Sequence, residues 1–175
     1  MNFHEIAQRS KASQDKWELE HLLLEVDKIK PKVILEIGVH MGHGMRHLKE
    51  AFDPSFLLGL ERDTCYEYPN LHVMKGIDSH DISTFLEVKK RLNDREVDFM
   101  FIDGDHSYEG VKKDFEMYSP LVRKGGIVAF HDARLDNNDT CFVFQYWKEI
   151  KEQFPHKEIF NPSGDIGTGV GVIYL

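Results

Sequence analysis

Strands and amphipathic helices alternate along almost all of this 175-residue chain, and that alternation predicts an α/β fold. Two further observations sharpen the expectation. The runs Val33–Ile37 and Val97–Ile102 are apolar along nearly their whole length, as strands covered on both faces of a parallel sheet are. Near the C-terminus, two short strand-like runs follow one another with no helix between them, which calls for one reversed strand. The expected architecture is a mostly parallel sheet with one antiparallel strand near the C-terminus, right-handed crossovers, and helices on both faces.

Each element has a local reason. Leu19, Leu22, Leu23, Val26 and Ile29 recur at helical spacing and stop at Pro31, so a helix should close an N-terminal segment spanning 1–30. Val33–Ile37 is the first strand of a core spanning 31–175. Gly38–Gly44 forms a loop opening a helix through Met45, Leu48 and Phe52. Phe56–Leu60 is the next strand and ends on Glu61-Arg62-Asp63. After the short segment Thr64–Asn70 comes a weak strand, Leu71–Met74. The helix over about Asp81–Asn93 places Ile82, Phe85, Leu86 and Leu92 on its apolar face. Val97–Ile102 is a strand, and Tyr108, Val111, Phe115 and Tyr118 mark a helix that stops at Pro120. Gly125-Gly126 turn the chain into the strand Ile127–Phe130. Val143, Tyr146, Trp147, Ile150 and Phe154 form the core face of a last helix, before strands at His156–Phe160 and Val170–Leu175. This is a single Rossmann-like domain over 1–175, with no repeats and no interdomain linker.

Composition excludes several functions. The hydrophobic share is 41% and the charged share 30%, ordinary for a globular protein, and no run approaches the roughly 18 apolar residues of a membrane span. The first ten residues carry His4, Glu5 and Arg9 and lack a signal-peptide core, so a cytoplasmic location is expected. A net charge of −8 repels phosphate backbones. The basic concentrations Lys89-Lys90-Arg91, Lys112-Lys113 and Arg123-Lys124 each sit beside acids, so no nucleic-acid partner is expected. Cys65 and Cys141 are too isolated for a disulfide framework or a metal knuckle and read as free thiols. A homo-oligomer is compatible with the sequence.

In sheets of this kind, ligands bind outside the carboxyl ends of the strands. The polar residues there are Glu36 to Gly44, Glu61, Asp78, Asp103 to His106, and His131-Asp132. The first loop carries Gly38, Gly42 and Gly44, which allow sharp turns and close approach of backbone to a ligand. It is neither a GxGxxG fingerprint nor a P-loop, since the Lys-Ser/Thr pair is absent. Glu61 stands where an acid can accept both hydroxyls of a ribose, its alternative being a solvated strand-end acid.

Glu36-x-Gly38-x-x-x-Gly42, Glu61, the run from Phe101 through Asp103-Gly104-Asp105-His106-Ser107-Tyr108 to Val111, and Leu121 through Gly125-Gly126 to His131-Asp132 together resemble class I S-adenosylmethionine-dependent methyltransferases. Within them, the chain resembles the small-domain group related to macrolide-sugar and catechol-type O-methyltransferases. The resemblance implies transfer of a methyl group to a small hydroxylated acceptor. It also implies that Gly38 and the backbone of Val39 and His40 face the methionine part of the cofactor, with Glu36 and Gly42 among the cofactor-binding residues. Glu61 would hold the ribose, Arg62 would flank the adenine, Asp78 and Ser79 would sit by the adenine ring, and Asp103 and Gly104 would run under the sulfonium. His40 stands where many relatives have a second glycine. The short Thr64–Asn70 segment implies an adenine pocket that is shallow or built from loops.

The same resemblance leaves room for a divalent metal, Mg²⁺ or Mn²⁺, on Asp103, His131 and Asp132, with a histidine replacing the usual carboxylate and so admitting a transition metal. In the alternative reading, Asp103 bonds backbone amides and His131 and Asp132 cap the last helix. Related enzymes place Lys or His three residues after the Asp103 position, so His106 is the expected general base, with Asp103 beside it; its alternative is a helix N-cap with Ser107. Asp105 reads as a loop-shaping side chain. His43 and His47 lack a third metal ligand and read as a solvated face. The acceptor face is expected from residues 1–20, 133–140 and 161–169. Two other functions share the fold: a non-catalytic cofactor-binding or interaction domain, and an NAD-type oxidoreductase, which needs a tighter glycine fingerprint and a Tyr-x-x-x-Lys or similar pair.

Overall fold

The computed structural model describes residues 2–12, 14–64, 66–134, 140–163 and 168–175. Its strands are β1 (Val33–Ile37), β2 (Phe56–Glu61), β3 (His72–Lys75), β4 (Val97–Ile102), β5 (Val122–His131), β6 (His156–Ile159) and β7 (Val170–Tyr174). They form one seven-stranded sheet in the order β3-β2-β1-β4-β5-β7-β6. The pairs β1–β2, β1–β4, β2–β3 and β4–β5 are parallel, and β7 runs antiparallel to both β5 and β6. The reversed strand is the one the sequence called for. Strand order turns back between β1 and β4, which opens a crevice at their carboxyl ends.

Helices cover both faces. α1 (Phe3–Gln8), α2 (Lys16–Asp27) and α3 (His43–Phe52) pack on one face, where Leu22, Leu23, Val26 and Met45 meet Ile34, Phe99 and Val172. α4 (Ile82–Leu92), α5 (Tyr108–Tyr118) and α6 (Val143–Ile150) cover the other, where Val88, Phe115 and Trp147 meet Leu35, Met100 and Phe130. Both faces of β1 are therefore buried along its length, which is why its sequence reads apolar without alternation. Among the described residues, no helix is long and apolar enough to cross a membrane.

Two expectations need correction. On α4, Ile82 and Leu86 are 67% and 57% exposed, while Thr84, Val88 and Leu92 face the core. At roughly 100° per residue Thr84, Val88 and Leu92 centre about 140° from Ile82 and Leu86, so of the expected face only Leu92 and Phe85 meet the core. The fifth strand does not begin after the glycine turn. β5 runs continuously from Val122, with a register shift against β4 that accommodates Gly125 and Gly126.

The N-terminal segment is anchored by two buried acids that hydrophobic periodicity cannot reveal. Glu18 on α2 accepts hydrogen bonds from the backbone amides of Asn161 and Gly169, at 3.1 and 3.0 Å. Glu25 accepts from Lys28, Lys157 and the Tyr174 hydroxyl. Burial alone would raise the Glu25 carboxyl, but these donors outweigh it and bring the pKa down to about 2. A depressed carboxyl stabilises the fold above its unfolded pKa and loses that contribution as pH falls through the folded value. Glu25→Gln should therefore lower stability at pH 7 by roughly 2–3 kcal/mol, discounted from the full shift because both lysines are solvent-exposed. The deficit should shrink between about pH 4.3 and pH 2. Urea unfolding at pH 7 and pH 3 checks this; an equal deficit at both would refute the ion-pair account.

Candidate active site

A cavity of about 980 Å³ opens at the carboxyl ends of β1, β2, β4 and β5, at the upper end of the range for small-molecule sites. It is lined by every sequence-predicted site residue except Gly42. Gly42 instead caps α3 in the left-handed region (φ +74°), packed against Tyr68 and Leu71.

At one end, β1 and β2 deliver Glu36 and Glu61. Glu36 is 2% exposed and its Oε2 has no hydrogen-bond partner. A Cβ on Gly44 would lie 2.5 Å from Glu36 Oε1, so only glycine leaves room for that carboxylate under the start of α3. Burial, then the charges of Asp103 and Glu61, hold the Glu36 carboxyl well above its usual range. Glu61 accepts from the amides of Val39, His40 and Asp63, at 3.0, 2.5 and 2.7 Å, and so shapes the glycine loop directly. His40 takes the left-handed conformation (φ +48°), and its carbonyl accepts from the Tyr68 hydroxyl while its Nε2 meets the Tyr66 hydroxyl at 3.1 Å. The segment between β2 and β3 thus walls the loop with tyrosines, and among its described residues there is no helix.

Below β3, Asp78 accepts from the His80 amide, and the Ser79 carbonyl accepts from the Tyr118 hydroxyl. His80 also lines the cavity, with Nε2 3.2 Å from the fully buried Asp114 carboxylate. Neither His80 nor Asp114 was legible as a site residue, because the pair joins two segments remote in sequence.

At the other end, β4 and β5 bring four side chains together. Asp103 Oδ1 lies 3.1 Å from His131 Nδ1 and 3.3 Å from His106 Nε2. Asp132 Oδ2 lies 3.4 Å from His131 Nδ1 and 3.6 Å from His106 Nε2. Burial would lower the His131 pKa, but Asp103 and Asp132 push it up to about 10. Burial alone would raise the Asp103 carboxyl, and the two histidines bring it down to about 2. A hydrogen bond with Asp103 raises His106 above its ordinary value against the opposing effect of burial.

The capping alternatives are met only in part: Ser107 of the His106-Ser107 pair is a helix cap, and the last helix has no side-chain cap. α6 starts at Val143 with Phe142 as its N-cap and no side-chain cap hydrogen bond from His131 or Asp132. Ser107, not His106, caps α5 by accepting the Gly110 amide, and Asp105 accepts the Ser107 amide as a loop-shaping residue should.

Asp103, His131 and Asp132 present ligand atoms within 4.8 Å of one another. His131 Nε2 meets the Thr168 hydroxyl at 2.9 Å, while its buried Nδ1 faces the two carboxylates without a well-aligned hydrogen bond. That division of the imidazole, one nitrogen oriented and the other aimed at carboxylates, fits a metal ligand.

Five of the ten histidines line this cavity: His40, His43, His80, His106 and His131. His43 is partly exposed and lines the cavity, and His47 is half-buried with its Nε2 on the Ser10 hydroxyl. Of the expected acceptor face, Lys11, Ala12, Gln14, Thr140 and Thr168 line the cavity, while 135–139 and 164–167 lie outside the described residues, as does Cys65. Tyr108 and Lys112 stand in a Tyr-x-x-x-Lys spacing, as in many NAD-dependent oxidoreductases. Neither lines the cavity, and the Tyr108 hydroxyl donates to Glu149.

A family model described as a methyltransferase domain matches residues 35–133. An uncharacterised protein of Sinorhizobium fredii is 37% identical over 67 residues, which cover 38% of this chain and only 7% of that relative's length. Among solved structures, a Staphylococcus aureus protein assigned as a caffeoyl-CoA O-methyltransferase superimposes with a TM-score of 0.66 at 20% identity, covering 97% of this chain and 88% of that one. MycE, a methyltransferase of the mycinamycin biosynthetic pathway in complex with Mg, S-adenosylhomocysteine and mycinamycin VI, superimposes with a TM-score of 0.67 at 17% identity, covering 99% of this chain and 54% of that one. At these identities the structural likeness is one of fold.

Proposed function

The chain belongs to the methyltransferase-domain family, and on that premise we propose that it methylates a hydroxyl of a small molecule using S-adenosylmethionine, with a divalent metal at the β4–β5 strand ends. The observation that carries this reading is the charge of the cavity. Among the described residues, six acids line it (Glu36, Glu61, Asp78, Asp103, Asp105 and Asp132), against Lys11, Arg62 and the His131 imidazolium, so that acids outnumber cations five to three even when Glu36, whose carboxyl burial raises, is left out. Such a field attracts a ligand bearing a sulfonium and an ammonium, and repels the pyrophosphate of a dinucleotide.

The residues divide the work by position. Glu36, buried and unpartnered, offers its carboxylate to a cationic amine, which would relieve the penalty of an unpaired buried group. Glu61 holds the glycine loop and offers its remaining lone pairs to a ribose diol. Val39, His40, Arg62, Asp78 and Ser79 line the remaining cofactor wall, and Gly104 continues it beneath the reacting end. S-adenosylmethionine supplies a methyl group that an acceptor oxygen displaces in line, leaving S-adenosylhomocysteine. His106 accepts the proton that the acceptor hydroxyl gives up through the ring nitrogen that its Nε2 hydrogen bond with Asp103 leaves free, and Asp103 orients that imidazole and stabilises its charged form. A metal held by Asp103, His131 and Asp132 would lower the pKa of the acceptor hydroxyl.

Titration calorimetry tests the reading. S-adenosylmethionine and S-adenosylhomocysteine should bind at one site per chain, and NAD should not. Glu61→Ala should weaken the first two by about 1.5–3 kcal/mol, the range for hydrogen bonds to a charged group. NAD binding with no response to S-adenosylmethionine would overturn it.

A further inference from the structure

Cys141 has no part in the chemistry proposed above, yet it stands beside it. It is 4% exposed, lines the cavity, and its sulfur lies within 4.8 Å of ligand atoms of His106 and Asp132. The arrangement is held by backbone. The Phe142 amide donates to the His106 carbonyl at 2.7 Å, clamping the segment that carries Cys141 onto the loop that carries His106. Asp132, the residue after β5, itself adopts the left-handed conformation (φ +59°), and Cys141 and Asp132 are both buried, while the His106 side chain is 44% exposed and lines the cavity.

We infer that His106, Asp132 and Cys141 form a second metal site, selective for a thiophilic divalent ion of the Zn²⁺ class and sharing Asp132 with the site proposed for a hard ion. The donor set decides the selectivity. One imidazole nitrogen, one carboxylate oxygen and one thiolate suit Zn²⁺ or Co²⁺, whereas Mg²⁺ takes oxygen ligands and gains nothing from sulfur. On binding, the Cys141 S–H bond breaks, its proton goes to solvent and the sulfur lone pair forms the metal bond. Three protein ligands leave a coordination position open to the cavity, as in non-structural zinc sites.

The consequence rests on the proposed reading of His106 as proton acceptor. An ion on the His106 imidazole breaks its hydrogen bond to Asp103 or takes the nitrogen that would accept the proton, and competes for Asp132, so a thiophilic ion inhibits methyl transfer where a hard ion supports it.

Cobalt reports the site without any activity assay. Co²⁺ titrated into the full chain should give a thiolate-to-cobalt charge-transfer band in the near ultraviolet, saturating at one ion per chain and released by Zn²⁺ but not by Mg²⁺. Cys141→Ser and Cys141→Ala should lose the band, and Cys65→Ser should keep it. X-ray absorption of the zinc-loaded natural chain should show a Zn–S distance of about 2.3 Å, a readout that needs no variant to fold. Cobalt bound with only oxygen and nitrogen donors, a band that survives loss of Cys141, or no thiophilic ion bound at all would each overturn the inference. S-adenosylmethionine calorimetry on the same sample separates this from failure of the methyltransferase reading, since cofactor binding does not require the thiol.

Discussion

Replacing His106 by alanine should lower turnover by about 10²- to 10⁴-fold while leaving S-adenosylmethionine affinity nearly unchanged, because a positioned general base contributes that much and no cofactor group depends on it. The pH profile carries a second signature. His106 hydrogen-bonds to Asp103, which raises its pKa against the effect of burial, so the unprotonated base appears only above the ordinary imidazole value of 6.5. Activity of the natural chain should therefore rise with pH along a limb lying above that value. Asp103→Asn removes the partner and should move the limb to lower pH. Chelation or Asp132→Ala should cut turnover while sparing cofactor binding, as expected if the metal acts on the acceptor. A fully active His106→Ala enzyme would leave proximity and orientation as the source of rate. A chelated sample working at full rate would remove the metal.

Gly38→Ala should destabilise the fold by about 3 kcal/mol or more and lower cofactor affinity as a secondary effect, since overpacking against backbone and a left-handed alanine each contribute. The glycine loop suggests that a side chain at Gly38 would block the ligand. The geometry assigns the conflict elsewhere: a Cβ there would sit 2.0 Å from the Asp103 carbonyl oxygen and 2.6 Å from the Gly104 Cα. Both neighbours are backbone and cannot rotate away, and φ is +86°. Gly38 thus lets the ends of β1 and β4 close up and sets the position of Asp103. Urea unfolding of the variant checks this. Unchanged stability with lost cofactor affinity would restore the ligand-blocking account.

Much of this architecture was legible because its causes are local. Val33–Ile37 and Val97–Ile102 announce buried parallel strands, and Leu19 to Val26 announce a helix face, through spacing alone. The strand-end acids could be named for the same reason: a parallel sheet gathers the carboxyl ends of its strands on one edge, so Glu36, Glu61, Asp103 and Asp132 converge whatever their distance along the chain. What lay beyond reach depends on packing between remote segments. Glu18 and Glu25 stand on an apolar helix face as buried acceptors only because β6, β7 and their flanking loops arrive with amides and lysines. Ile82 and Leu86 have the spacing of a core stripe, and only the direction from which the sheet meets α4 leaves them in solvent. His80 finds Asp114, and Cys141 finds His106 and Asp132, across a crevice whose width no periodicity records. Local sequence sets which residues can form a strand, a turn or a helix face, because those preferences act over a few bonds. Which titratable groups share a dry space is decided by the tertiary fold, because electrostatics and metal coordination act through distance in space rather than along the chain.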